Sequence, residues 1–294
     1  MDIRKLLFVT KFEDLRFDAL QSLLDLRNVA LNHVVFLNVI ERENVAMRRG
    51  TGYQKEQEVR LREKANIRFI DWAETLFEMG MEVGVYIVVG RFVKQIIRAA
   101  DNEDVDLIVI GPSKQGKMEQ LLSGSDLTEI IHRTGVPVLV YKNRSRNGTN
   151  PEKPFQRPLL ATNWSSASHN ALKFLKKLTI IEKVHVVHVA DEKSLQGTSA
   201  MAVQRTRKES RRKLEEICDI LEEAGIEGRS HVYIGDTVDE IEKAAEECQA
   251  TMIITGASNR SWNAWRERLL GSIPKALAEK SAFSTLIIPP EKKK

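Results

Sequence analysis

The chain of 294 residues has little cysteine: Cys218 and Cys248 are its two thiols, and neither stands at ligand spacing from another Cys or His in sequence. A disulfide framework is thereby excluded and no metal-ligand set is evident. Both thiols lie on apparent helices and read as small apolar packing groups. No apolar run approaches the roughly 18–20 residues that a membrane helix needs. Charge of either sign is not in surplus: 45 basic residues face 41 acidic ones, a net +4. That balance gives no electrostatic footprint for nucleic acid. The opening MDIRKLLFVT turns charged again at Lys11, and no small-residue cleavage site follows. It reads as a first strand and not a signal peptide. The expectation is a soluble, cytoplasmic protein with no membrane insertion.

What is present is a strict alternation of short apolar runs with longer amphipathic ones. Strands are predicted at 6–10, 34–39, 81–89, 105–110 and 136–140. Between them fall a helix from Asp14 (Leu15, Ala19, Leu20, Leu23, Leu24), a long helix over 53–79, a helix over 92–100, and a short helix on Leu127, Ile130 and Ile131. The long helix is expected to bury Val59, Ile70, Ala73, Leu76 and Phe77. Lys142–Pro154 (KNRSRNGTNPEKP) has no apolar period and is rich in turn formers. The pattern then restarts, with strands at 158–162, 184–189, 229–234, 252–255 and 284–288. Helices are predicted at 165–178, 198–224, 238–248 and 272–280. Residues 1–142 and 157–290 are therefore two domains joined by 143–156. Such alternation implies parallel sheets covered on both faces.

Both halves turn on the same device. Val105–Ile110 ends at Gly111, and after twelve residues Gly124-Ser125 opens a helix; Thr251–Thr255 ends at Gly256, and Gly271-Ser272 opens the last helix. Bare N–H groups and a helix N-terminus laid out in this way suit an anion, most naturally a phosphate. Gly90 to Gly111 spans 21 positions, as does Gly235 to Gly256. The shared order of elements marks an internal duplication.

At these residues the chain resembles the universal stress protein family, as a tandem of two such domains. The family's phosphate loop reads Gly-x2-Gly-x9-Gly-Ser/Thr. Here the first half has Gly111-Pro-Ser-Lys114 and then Gly124-Ser125, with Lys114 in place of the middle glycine. The second half has Gly256-Ala-Ser-Asn259, and its loop to Gly271-Ser272 is two residues longer and contains Trp262 and Trp265. Where nucleotide-binding members carry an Asp after the first strand, Lys11 and Asn163 stand. The resemblance implies two tandem doubly wound α/β domains, each with a five-stranded parallel sheet (adenine-nucleotide alpha-hydrolase-like). Its ligand would sit between the first and fourth strands, where Val39 and Val189 offer backbone contacts to the base.

The residues leave the ligand open. Lys114 could add a cation to a phosphate, or it could close a degenerate loop. An ammonium at Lys11 can only donate to an adenine, whereas Asn163 keeps an acceptor and a donor for adenine or ribose. For catalysis little is found: His185 and His188 are three apart in a strand and point to opposite faces. Ser125 and Ser272 have no evident histidine and acid beside them. The basic run from Arg205 to Lys213 is interleaved with Glu209, Glu215 and Glu216 and reads as a solvated helix face. The implied protein is a non-catalytic stress-response regulator that binds ATP or another adenine nucleotide in a degenerate pocket. An unidentified protein partner, an intramolecular pseudo-dimer and a homodimer of chains are further expectations. A slow ATP hydrolase or nucleotidyl transferase, and a scaffold with both pockets lost, are the alternatives.

Overall fold

The computed structural model describes residues 3–10, 16–45, 53–111, 124–144, 153–192, 197, 199–257 and 272–290. By internal contacts the chain divides into two units, residues 2–138 and 139–294.

In the first unit the strands are β1 (Lys5–Val9), β2 (His33–Glu41), β3 (Glu82–Gly90) and β4 (Leu107–Ile110), in the order β3-β2-β1-β4, and β5 (Val138–Val140), next to β4 in the order, starts on the last residue of that unit. β1 pairs in parallel with both β2 and β4, and β2 with β3. β1, β2 and β4 are near-continuous Val, Leu, Ile and Phe, as strands covered on both faces require. The helices are α1 (Phe17–Gln21), α2 (Arg42–Val45), α3 (Lys55–Glu78), α4 (Phe92–Glu103) and α5 (Gly124–Thr134).

Two expectations are corrected here. The helix expected from Asp14 is a single turn, α1, followed by a 3-10 segment at Leu24–Val29 that ends on Ala30 at φ 97°. Arg16 stands at its N-cap without a side-chain bond, and Asp14 and Leu15 lie outside the described residues. The buried stripe of α3 is also rotated from the expected one. Ala73 and Leu76 are buried, but their companions are Ala65, Phe69 and Trp72. Val59, Ile70 and Phe77 are exposed, at 44%, 58% and 58%. The aromatics decide the phase. Phe69 stacks on Phe36 of β2 with centroids 5.0 Å apart, and Trp72 packs at 5.5 Å from the same ring. Two aromatic rings bury more area than Ile70 and Phe77 could against that spot, and ring–ring contact adds about 0.5–1.5 kcal/mol per pair.

The second unit repeats the plan with β6 (Pro158–Ala161), β7 (Lys183–Asp191), β8 (Glu227–Gly235), β9 (Met252–Gly256) and β10 (Ser284–Ile288). Their order is β10-β9-β6-β7-β8, all parallel. Its helices are α6 (Ser166–Leu175), α7 (Ala200–Glu222), α8 (Thr237–Glu247) and α9 (Ser272–Lys280). Ser165, Ser199 and Asp236 cap α6, α7 and α8 by accepting from first-turn N–H groups. On β8, Gly228 lies under Cys218 of α7, while Tyr233, of opposite parity, packs on the core beneath α8. Helices therefore cover both faces. In each unit the order reverses between the first and fourth strands, β1/β4 and β6/β9, which sets a crevice at their carboxyl ends.

The duplication shows in local chemistry as well as order. Five residues before the strand-ending glycine, Asp106 accepts from the N–H groups of Arg4 and Lys5 at the start of β1. At the matching place Thr251 accepts from the Arg157 N–H and donates to the Pro154 carbonyl. A side chain thus ties the entrance of the fourth strand to that of the first in both halves.

Candidate functional site

The crevice is built from the ends of the central strands. β2 and β7 run on past β1 and β6: among the described residues the last main-chain contacts to those strands are Thr10 N–H to the Leu37 carbonyl and Thr162 N–H to the Val187 carbonyl, both 2.9 Å. In a parallel ladder alternate residues direct their main-chain groups to the same side. Val39 and Val189, two residues further on, therefore aim theirs toward β1 and β6 at the point where those strands have ended. Both side chains are buried.

The residue before each valine closes the rim. Asn38 Nδ2 donates to the Thr10 carbonyl at 2.9 Å, and His188 Nδ1 makes the equivalent bond to the Thr162 carbonyl at 2.9 Å. Burial lowers the His188 pKa, and Lys213 acts in the same direction, so at neutral pH the ring is uncharged and its Nδ1–H is the donor. Sequence reading placed His188 on the face opposite His185 without a catalytic role, and overlooked Asn38. Aligning the two halves at Val39 and Val189 would have paired them.

Asn163 follows β6 and Thr162. Its Oδ1 accepts from the Ser168 hydroxyl at 2.9 Å and from the Ser165 N–H at 3.2 Å, while its own N–H donates to Ser168 Oγ at 3.2 Å. Both lone pairs of the amide oxygen are thereby committed to the start of α6, and the side-chain amino group is what the residue can offer outward. The acceptor that sequence reading reserved for adenine or ribose is occupied. Ser168 was missed because a serine in a first helical turn carries no signal of its own.

Trp164 was also missed. It holds φ 63°, in the left-handed region, which costs a bulky residue roughly 1–2 kcal/mol. Its indole lies against His188, with centroids 4.6 Å apart and planes at 35°, and Lys213 Nζ from α7 sits 5.6 Å over the ring. A strained aromatic in contact with an imidazole and an ammonium therefore stands just past the end of β6, at the crevice of the second domain.

The glycines occupy the expected places. Gly111 follows the end of β4, Gly256 ends β9, and Gly124 and Ser272 open α5 and α9. Ser125 is exposed in the first turn of α5. Gly256 has a packing reason of its own: a Cβ there would lie 2.3 Å from both the carbonyl carbon and the oxygen of Ala167 in α6. Lys11, Lys114, Asn259, Gly271, Trp262 and Trp265 lie outside the described residues.

Two doubly wound α/β domains in tandem, each with a crevice at the switch point and a glycine at the end of its fourth strand, define the class. The family model for the universal stress protein family matches residues 2–142 and again 154–289. The chain belongs to that family. The universal stress protein MJ0577 of Methanocaldococcus jannaschii is 25% identical over 156 residues, covering 48% of this chain and 96% of that protein. The crystal structure of a universal stress protein from Archaeoglobus fulgidus superimposes with a TM-score of 0.71 at 21% identity, over 99% of this chain and 97% of that one. A Pseudomonas aeruginosa protein of unknown function follows with a TM-score of 0.65 at 17% identity, over 98% and 93%. At these identities the structural likenesses speak for the fold. Among the described residues no helix is long and apolar enough to cross a membrane.

Proposed function

We propose that the protein is a non-catalytic stress-response regulator whose crevices at β1/β4 and β6/β9 take ATP or another adenine nucleotide. The observation that carries this reading is the repeated overhang of β2 and β7, which turns the main-chain groups of Val39 and Val189 toward the crevice. A purine edge can pair with a main-chain donor and acceptor there without an acidic side chain. Phosphates would then reach the N-termini of α5 and α9 at Gly124-Ser125 and Gly271-Ser272.

The two crevices are not equivalent in this reading. In the second, Asn163 offers donors outward, so the base is held by main chain and by the face of Trp164. Among the described residues, polar side chains at the crevice rims act as caps: Asn38 and His188 on carbonyls, Ser165 and Ser168 on the α6 start. Chemistry committed to capping supports binding over turnover. Nucleotide occupancy would alter a surface read by a protein partner.

The test is to denature the purified chain and quantify released adenine nucleotide, with an ATP titration of wild type and Gly124→Val. Expected is saturable binding that is weakened in the variant, with no phosphate release over hours. An empty protein that shows no heat at millimolar ATP would leave the scaffold reading. Steady phosphate release abolished by Gly124→Val would make the protein an enzyme.

A further inference from the structure

The face of the second domain's sheet opposite the Trp164 stack carries three ligating side chains from three elements. His185 on β7 has the parity of Val187, and Val187 is the register partner of His231 on β8, so the two imidazoles share a face. Cys248 joins them as the residue that closes α8. His185 Nδ1 lies 3.2 Å from His231 Nε2, and Cys248 Sγ lies 3.8 Å from the same Nε2. One ligand atom from each of the three falls within 4.8 Å of the others. His185 is buried and the other two are half-buried.

The two printed separations to His231 are close to those of a metal's coordination shell, and the third, within 4.8 Å, needs the His185 and Cys248 side chains to draw together on binding. A tetrahedral Zn2+ with bonds of about 2.0–2.1 Å to nitrogen and 2.3 Å to sulfur holds N···N near 3.3 Å and N···S near 3.6 Å. We infer that His185, His231 and Cys248 form a Zn2+ site with three protein ligands and a fourth position for water. The site lies on a different face from the nucleotide crevice and does not depend on that reading.

The proton balance is simple. The ring N–H shared between His185 and His231 moves to the far nitrogen of its own ring, which frees both facing lone pairs without net release. The Cys248 thiol loses one proton to solvent and becomes the thiolate ligand. The surrounding charges partly cancel. Lys183 and Arg229 both pair with Glu227, at 3.6 and 2.7 Å, and the Glu247 carboxylate lies near both His231 and Cys248. Sequence reading found neither cysteine near a ligand. The cluster spans 46 residues from His185 to His231 and 17 more to Cys248, and only sheet register assembles it.

The alternative is a packed trio held by hydrogen bonds alone, and metal titration separates the two. The full chain, reduced and freed of metal with a chelator, would be titrated with Zn2+ against a chromophoric competitor and with Co2+ as a spectroscopic probe. Expected is one Zn2+ per chain, with a Co2+ spectrum showing tetrahedral d–d bands and a thiolate charge-transfer band. Cys248→Ser should remove the charge-transfer band and weaken Zn2+ at least about 10-fold, and His231→Gln should weaken it comparably. Cys218→Ser, on α7 over the opposite face of the sheet, should change neither. Zn2+ bound no more tightly by wild type than by Cys248→Ser, or a Co2+ spectrum without a thiolate band, would overturn the site. The Co2+ spectrum of wild type needs no variant, so the decision survives if one fails to fold.

Discussion

Gly256→Ala is the sharpest probe of how the second crevice is held. The glycine ends β9 beneath the first turn of α6, and its added Cβ would stand 2.3 Å from the Ala167 carbonyl carbon, 2.3 Å from its oxygen and 2.7 Å from its Cβ. Close but tolerable carbon–oxygen contacts begin near about 3.3 Å, so something must retreat by about 1 Å. Neither partner is a flexible side-chain tip. One is helix backbone tied down by Ser165 and Asn163, and the other is the end of a buried strand paired to β10. Overpacking costs about 1–3 kcal/mol where side chains can yield, and a backbone clash belongs at the upper end. At about 2–4 °C per kcal/mol for a domain of this size, the second unit should melt about 6–12 °C earlier. Calorimetry of the full chain, with Gly84→Ala as the matched control, measures it. At Gly84 a new methyl would meet Val35 Cγ2 at 3.4 Å and other side-chain atoms at 3.5 Å, so that variant should stay within about 0.5 kcal/mol of wild type. If Gly256→Ala melts within about 1 °C of wild type, the close approach is not real and the glycine must be explained by the ligand alone.

The phase of α3 can be tested by contrast in urea melts. Phe69→Ala should cost about 3–5 kcal/mol, whereas Phe77→Ala, 58% exposed, should stay within about 0.5 kcal/mol. Asn38→Ala removes the donor to the Thr10 carbonyl and should destabilise the first unit by about 1–3 kcal/mol in the same assay. Ser165→Ala, which removes the α6 cap, should cost the second unit about 1 kcal/mol. Lys142 supplies a pH test. Burial lowers its ammonium from 10.5 to about 8 against the pull of Glu242, while the Ser281 and Leu277 carbonyls accept from it. Between those values the unfolded chain binds the proton more tightly, so stability should rise with pH from about 8 to 10.5, by at most about 3 kcal/mol. Lys142→Met should flatten that rise in chemical denaturation at a series of pH values.

Strands and their order of appearance were legible because β1, β2, β4 and their counterparts are short apolar runs closed by glycine or polar residues, and a buried parallel strand cannot be written otherwise. Helix existence was legible for the same reason, but helix phase was not. Along α3 the sets Phe69/Trp72/Leu76 and Ile70/Ala73/Phe77 have the same helical spacing, and periodicity is blind between them. Phe36, 33 residues upstream of Phe69, chose the phase by stacking, and that contact exists only once β2 and α3 are packed.

The crevice was legible at the level of backbone and not of side chains. Gly111, Gly256, Val39 and Val189 could be located because strand ends and duplicated spacing are properties of the chain's own order. What Asn163 offers a ligand could not be read, because that depends on Ser165 and Ser168 claiming its oxygen first. The same limit hid His185, His231 and Cys248. A ligand set on one strand or helix leaves a spacing, whereas one assembled by register across β7, β8 and the end of α8 leaves none. Histidine parity, which separates His185 from His188, was correct and was applied to the wrong pair. The partner of His185 lies across the ladder, diagonal to it beside Val187. In a parallel sheet, polar residues of one parity on neighbouring strands are the place to look for such sites. Here that search selects two imidazoles on β7 and β8, and the helix that covers them ends on a thiol.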